Sequence, residues 1–144
     1  MKVLYHGSPR KLVGNKLIPK KAKDMDKRRK HNLLKGIYAS SFRYVAIAMA
    51  IISCSGVNAS SLNPIKGKSI GVIYKGWPKN KYVYLHTLPK KTFKNIPKGT
   101  AQFVSFKPVK PIKTERIKIS DYLHLVRKAT KEEKKKWRQK YGKI

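Results

Sequence analysis

Lys2-Val-Leu-Tyr-His-Gly-Ser-Pro9, near the head of the sequence, sets three residues that favour extended backbone before a histidine and then a turn. Val3, Leu4 and Tyr5 predict a strand, Gly7 permits a close backbone approach, and Pro9 stops the strand from continuing. His6 is thereby placed where a strand ends, with a ring able to donate and to accept hydrogen bonds. Taken alone, the stretch fits either a histidine that satisfies a turn or one corner of a binding site. The rest of the chain has to supply the other corners.

At 144 residues the chain suits a single domain, 1–144, with its own core. With 40% hydrophobic residues it is not disordered by composition. Thirty-six Lys and Arg against six Asp and Glu give a formal charge of +30, a field that attracts polyanions. Nucleic acid is the first partner this implies, with an acidic or nucleic-acid-bound protein behind it; lysine-rich coding bias is the plainer account. The acids are Asp24, Asp26, Glu115, Asp121, Glu132 and Glu133, so no carboxylate falls between Lys27 and Thr114. That pattern argues against a glycosidase-type carboxylate pair and against a hard-cation site. His6, His31, His86 and His124 lack a ligand spacing, and no metal is expected. The single Cys54 lies in an apolar run, which points to a buried thiol and a reducing, cytoplasmic setting. No signal-peptide pattern is present, and the longest apolar run, Tyr44 to Ile52, is shorter than the roughly 20 residues of a spanning helix, so no membrane partner is expected.

Further along, Lys20 to Lys35 concentrates charge, and Lys27, Arg28, Arg29 and Lys30 are candidates for polyanion contact or plain solvent exposure. Gly36 to Ser41 reads as a short strand whose terminal serines, Ser40 or Ser41, can cap a helix. Phe42 to Cys54 is apolar almost all round and predicts a helix packed on a sheet. Ser55 to Pro64 has the chemistry of a long neutral loop. Ser69 to Lys75 and Tyr82 to Leu88 flank a turn-rich connector and predict an antiparallel hairpin. Thr100 to Phe106 and Lys110 to Ile119 predict two more strands, the prolines beside the latter suiting an edge. A basic C-terminal helix is expected over about 121–142, with Lys135, Trp137 and Arg138 as candidates for phosphate contact and base stacking.

Three of these stretches, Tyr5 to Ser8, Ile37 to Ser41 and Ala101 to Ser105, occur in an order that resembles the ADP-ribosyltransferase-like superfamily, particularly its small phage and bacterial members. Those carry YHGS-, VYAT- and EWVS-type motifs. The resemblance spans roughly Val3 to Tyr122. It implies an α+β fold with an antiparallel, split β-sheet core and a buried helix, and NAD as the cofactor. It also implies that His6 bonds a ribose, that the backbone of Gly7 holds the nicotinamide amide with Ser8 beside it in the cofactor site, that Tyr38 packs on the nicotinamide ring, and that Ser40 bonds the ribose or caps the helix. Gln102 stands where the family's enzymes usually place a glutamate. An amide can bond a ribose but carries no charge to stabilise a cation. The catalytic candidates are therefore His6, Tyr38 and Gln102, in either of two proteins. One is an NAD-dependent transferase acting in the host cytoplasm on nucleic acid or a nucleic-acid-bound protein. The other is a catalytically degenerate, highly basic nucleic-acid binder or ribonucleoprotein inhibitor.

Overall fold

The computed structural model describes residues 2–21, 30–63 and 70–142. In chain order these form β1 (Val3–Ser8), β2 (Lys20–Lys21), a 3₁₀ turn (Lys30–Asn32), β3 (Lys35–Ser40), α1 (Arg43–Ile52), β4 (Val57–Leu62) and β5 (Gly71–Gly76). There follow β6 (Tyr82–Pro89), β7 (Phe93–Asn95), β8 (Gln102–Ser105), β9 (Lys113–Lys118), two 3₁₀ turns (Ile119–Asp121 and Leu123–Leu125), β10 (Val126–Lys128) and α2 (Lys131–Tyr141). The class is α+β. Seven strands make one antiparallel sheet in the order β7-β8-β3-β1-β6-β9, with β2 added on β3, and β10-β5-β4 make a small mixed sheet.

The apolar run predicted as a helix is α1. Its alanines let it lie close on the large sheet, and Ala46, Ile47, Ala50 and Ile51 pack with Val83, Leu85 and Ile117 into the main core. Gly7 is where this packing is tightest. A Cβ there would overlap the Ala46 carbonyl oxygen and lie 2.8 Å from the Ala50 Cβ, so β1 can approach α1 only with glycine at this position. On the other face of the sheet, Leu4, Ile37, Ala39, Leu88 and Phe93 form a second cluster. The segment after β1 covers it, with Leu17 and Val109 exchanging backbone hydrogen bonds of 2.8 and 3.0 Å.

Three sequence expectations change. The predicted hairpin does not form: β5 belongs to the small sheet, while β6 is taken on both sides by β1 and β9. Gly76, at a φ of 87°, turns the chain out of β5, and the connector is tied to the turn after α1 by Trp77 N to Gly56 O (3.0 Å) and Lys79 N to Ser55 O (2.9 Å). The stretch read as a neutral loop contains β4, a strand with Asn58, Ser60 and Ser61 in its middle that exists because β5 offers it a ladder. The C-terminal helix begins at Lys131 and not near Asp121. Residues 119–128 instead bury Ile119, Leu125 and Val126 and add β10 parallel to β5. The cap is Thr130, whose hydroxyl accepts from Glu133 N (3.1 Å) while Glu133 Oε1 accepts from Thr130 N (2.9 Å).

Candidate functional site

β1 and β3 are in register at a single pair, Tyr5 with Ser40, and Ser40 is in turn paired with Gln102 on β8. One residue from each of the three motifs therefore lies on one line across three neighbouring strands. Just past that line the sheet opens, and the Tyr38 carbonyl takes a hydrogen bond from His6 Nδ1 at 2.6 Å. Because a carbonyl can only accept, Nδ1 carries the proton and Nε2 is left as an acceptor while the ring is neutral. Burial, together with nearby Lys20, holds the His6 pKa below its ordinary value against the opposing pull of the Tyr38 carbonyl, so the neutral form prevails at neutral pH.

His86 lies directly across from His6 on β6, fully buried, with the rings stacked at 6.0 Å. Its Nδ1 is 2.8 Å from Thr114 Oγ1, and its Nε2 has no partner among the described residues. Desolvation, with a smaller contribution from His6, pushes its pKa down to about 4. No sequence signal could have paired these two histidines, because the register of β1 on β6 is set by long-range packing.

His6, Gly7, Tyr38, Ser40 and Gln102 all line one cleft of about 1120 Å³. The Tyr38 hydroxyl is tethered to Leu34, accepting from its N–H (2.8 Å) and donating to its carbonyl (3.1 Å), which fixes the ring at the cleft wall. Ser40 Oγ accepts from Phe42 N at 3.1 Å, a local turn ahead of the helix. It is not the N-cap of α1, a position held by Phe42 without a side-chain bond, and Ser41 does not cap the helix either. Gln102 Nε2 donates to Asn32 Oδ1 (3.1 Å) and to Ile96 O (3.0 Å). Both amide protons are thus committed, and what Gln102 can offer a ligand is the acceptor Oε1. Ser8 does not line the cleft; its hydroxyl turns back on Arg10.

The far wall comes from residues the motifs did not include. Trp137 of α2 stacks on Tyr74 at 4.1 Å and meets Tyr141 at 4.6 Å. Glu133, Lys136 and Lys140 of the same helix also line the cleft. Trp137 is 9% exposed with its ring against Tyr74, so it is not presented to a nucleic-acid base as expected; the apolar ring turned inward and the charges around it turned outward. Lys135 and Arg138 are exposed on α2, and Lys30 is exposed at the start of the first 3₁₀ turn. Lys27, Arg28 and Arg29 lie outside the described residues. The signal that would have placed α2 correctly is Thr130-Lys-Glu-Glu133, a capping-box pattern.

Glu133 is the one carboxylate among the described residues that line the cleft, and it is committed. It holds Arg127 through two bonds of 2.6 and 2.8 Å, and these together with the Thr130 backbone bond pull its pKa down to about 2. Glu115 is committed as well, to Arg43 of α1 at 2.6 Å, which lowers its pKa. Neither is free to replace the charge that Gln102 lacks. Among the described residues, no group of three or more potential metal ligands occurs, and no helix is long and apolar enough to cross a membrane. Cys54 is buried, its thiol pushed up to about 11 by desolvation, which suits an inert core residue. Comparison with known proteins finds no family model, no curated protein and no solved structure that matches this chain.

Proposed function

We propose that the cleft holds a nucleotide of the NAD type, in a protein of ADP-ribosyltransferase-like design whose targets are nucleic acid or nucleic-acid-bound proteins. The observation that carries this reading is the line Tyr5–Ser40–Gln102, which joins three separated motifs beside His6 and Gly7 at the edge of one large cleft. The residues suit the group. Neutral His6 offers Nε2 to a ribose hydroxyl, Gln102 offers Oε1 to another, and the fixed Tyr38 ring provides a face for a planar base. Lys136 and Lys140 bring positive charge to the opposite wall, where a pyrophosphate would be neutralised.

NAD would supply the transferable ADP-ribosyl group. The chain's own contribution is binding and orientation, because Gln102 has no charge with which to stabilise positive charge and Glu133, the one carboxylate among the described residues that line the cleft, is held by Arg127. That favours tight nucleotide binding with slow or absent turnover over efficient transfer.

The test is calorimetric titration with NAD, paired with an assay for released nicotinamide. Binding that falls at least about tenfold in His6→Ala, the loss of a good hydrogen bond in a desolvated site, supports the reading. It should also weaken as pH drops and His6 Nε2 takes up a proton. Absence of NAD binding by the folded wild-type protein overturns it.

A further inference from the structure

We propose that the outward face of β6 and β9 is a platform for single-stranded nucleic acid, separate from the cleft. Residues directly opposed on neighbouring strands share a face, and faces alternate along a strand. Val83, Leu85 and Ile117 point into the core beneath α1. Their neighbours Tyr82 and Tyr84 on β6, opposed to Lys118 and Arg116 on β9, point the other way. Arg116 and Lys118 are exposed and both tyrosines are half-buried, and none of the four lines the cleft.

The side chains on this face are arranged for stacked bases as well as for charge. The Arg116 guanidinium lies 4.3 Å from the Tyr82 ring centroid, and Lys81 Nζ lies 5.7 Å from the same ring. A guanidinium over one ring can also take a further planar group, such as a base, on its own face. Tyr84, across from Arg116, lines with it and Lys11 a shallow hollow of about 420 Å³. Two residues along a strand separate Tyr82 from Tyr84 by about 7 Å, a spacing that suits bases splayed apart and not stacked in a duplex.

Charge selects the same partner. Glu115, the one acid in β9, points to the opposite side of the sheet and is held by Arg43, so these two strands show no carboxylate on the outward face. β9 is also the edge of the large sheet, which leaves the platform open along one flank. An acidic protein would use the cations but leave the two rings without a planar partner. A duplex would use the cations but offer no free base face. Unpaired bases on a phosphodiester chain use both.

Fluorescence anisotropy with labelled oligouridylate, against heparin and a duplex of equal length, tests the assignment. Tyr82→Leu/Tyr84→Leu should lower oligouridylate affinity about tenfold or more while heparin affinity and NAD binding stay unchanged. Arg116→Gln should weaken binding and reduce the salt slope by about one. The proposal is overturned if the folded double variant binds oligouridylate as the wild type does, if heparin affinity falls in parallel, or if duplex is preferred. Should the double variant not fold, photocrosslinking of wild-type protein to a 4-thiouridine oligonucleotide decides: adducts on β6 and β9 support the platform, and adducts confined to α2 overturn it.

Discussion

His86 shows how one buried ring couples the site to stability. Its pKa is about 4 in the folded protein and about 6.5 when exposed, so between these values the unfolded chain binds a proton that the folded one does not. Stability is therefore complete above about pH 6.5 and declines as pH falls toward 4, by on the order of 3 kcal/mol. His6, also lowered, acts in the same direction. His86→Leu removes the unpartnered Nε2, and thermal melts of that variant should be flatter across this window than those of the wild type. An equally steep decline would assign the acid sensitivity elsewhere. Gly7→Ala makes the opposite kind of demand, since its Cβ meets backbone and not the tip of a flexible side chain. A loss of about 1–3 kcal/mol or more in denaturant unfolding is expected, and an unchanged midpoint would mean that α1 moves off β1 freely. Gln102→Glu tests how the site is built. The Ile96 carbonyl at 3.0 Å accepts from the amide, and a carboxylate in the same place would set oxygen against oxygen. The variant should melt below the wild type and gain no NAD hydrolysis, whereas a stable variant that releases nicotinamide would show that the pocket accepts an acid.

At the scale of elements, α2 is held by few features, and each is identifiable. These are the Thr130 capping box, the Arg127–Glu133 pair and the stack of Trp137 on Tyr74. Trp137→Ala should release the helix while leaving the seven-stranded sheet folded. Hydrogen exchange would show this as lost protection over 131–141 alone, and loss across β1 and β6 would make the helix part of the global unit. The Glu133 carboxyl, at about 2 when folded, supports this helix above about pH 4.5, and that support is lost as pH falls toward 2. The elements differ in how far the chain announces them. β1, β3, α1, β8 and β9 were legible because apolar pattern and turn residues agree locally, and so was the ordered trio that supplies His6, Tyr38 and Gln102. The pairing of β5 with β4 and β10 was not, because a strand's sheet is chosen by distant partners, and β4 is too polar to read as a strand before its partner is known. The far wall of the cleft was missed for a related reason. Trp137 sits among lysines in sequence, and only Tyr74, 63 positions away, makes its inward face visible.

Across the whole molecule, positive charge is the dominant unresolved energy. Six acids face 36 bases, and Glu115, Glu132 and Glu133 are already spent on Arg43, Lys136 and Arg127. The remaining cations repel one another in the folded state more than in the expanded chain, because folding brings them closer. Screening should therefore stabilise this protein. Raising ionic strength from about 0.01 M to about 0.15 M shortens the Debye length from about 30 Å to about 8 Å, which removes most long-range repulsion while leaving contacts such as Arg43–Glu115 largely intact. The melting temperature should rise over that interval in sodium chloride. If the platform proposed on β6 and β9 holds single strands, it should rise further at fixed ionic strength with a single-stranded oligonucleotide, because a ligand of the folded form stabilises that form. A fall with salt would mean that the few ion pairs outweigh the repulsion. A rise with salt but none with the oligonucleotide would mean that the charge is simply tolerated, and that the Tyr82–Arg116 face holds no nucleic acid.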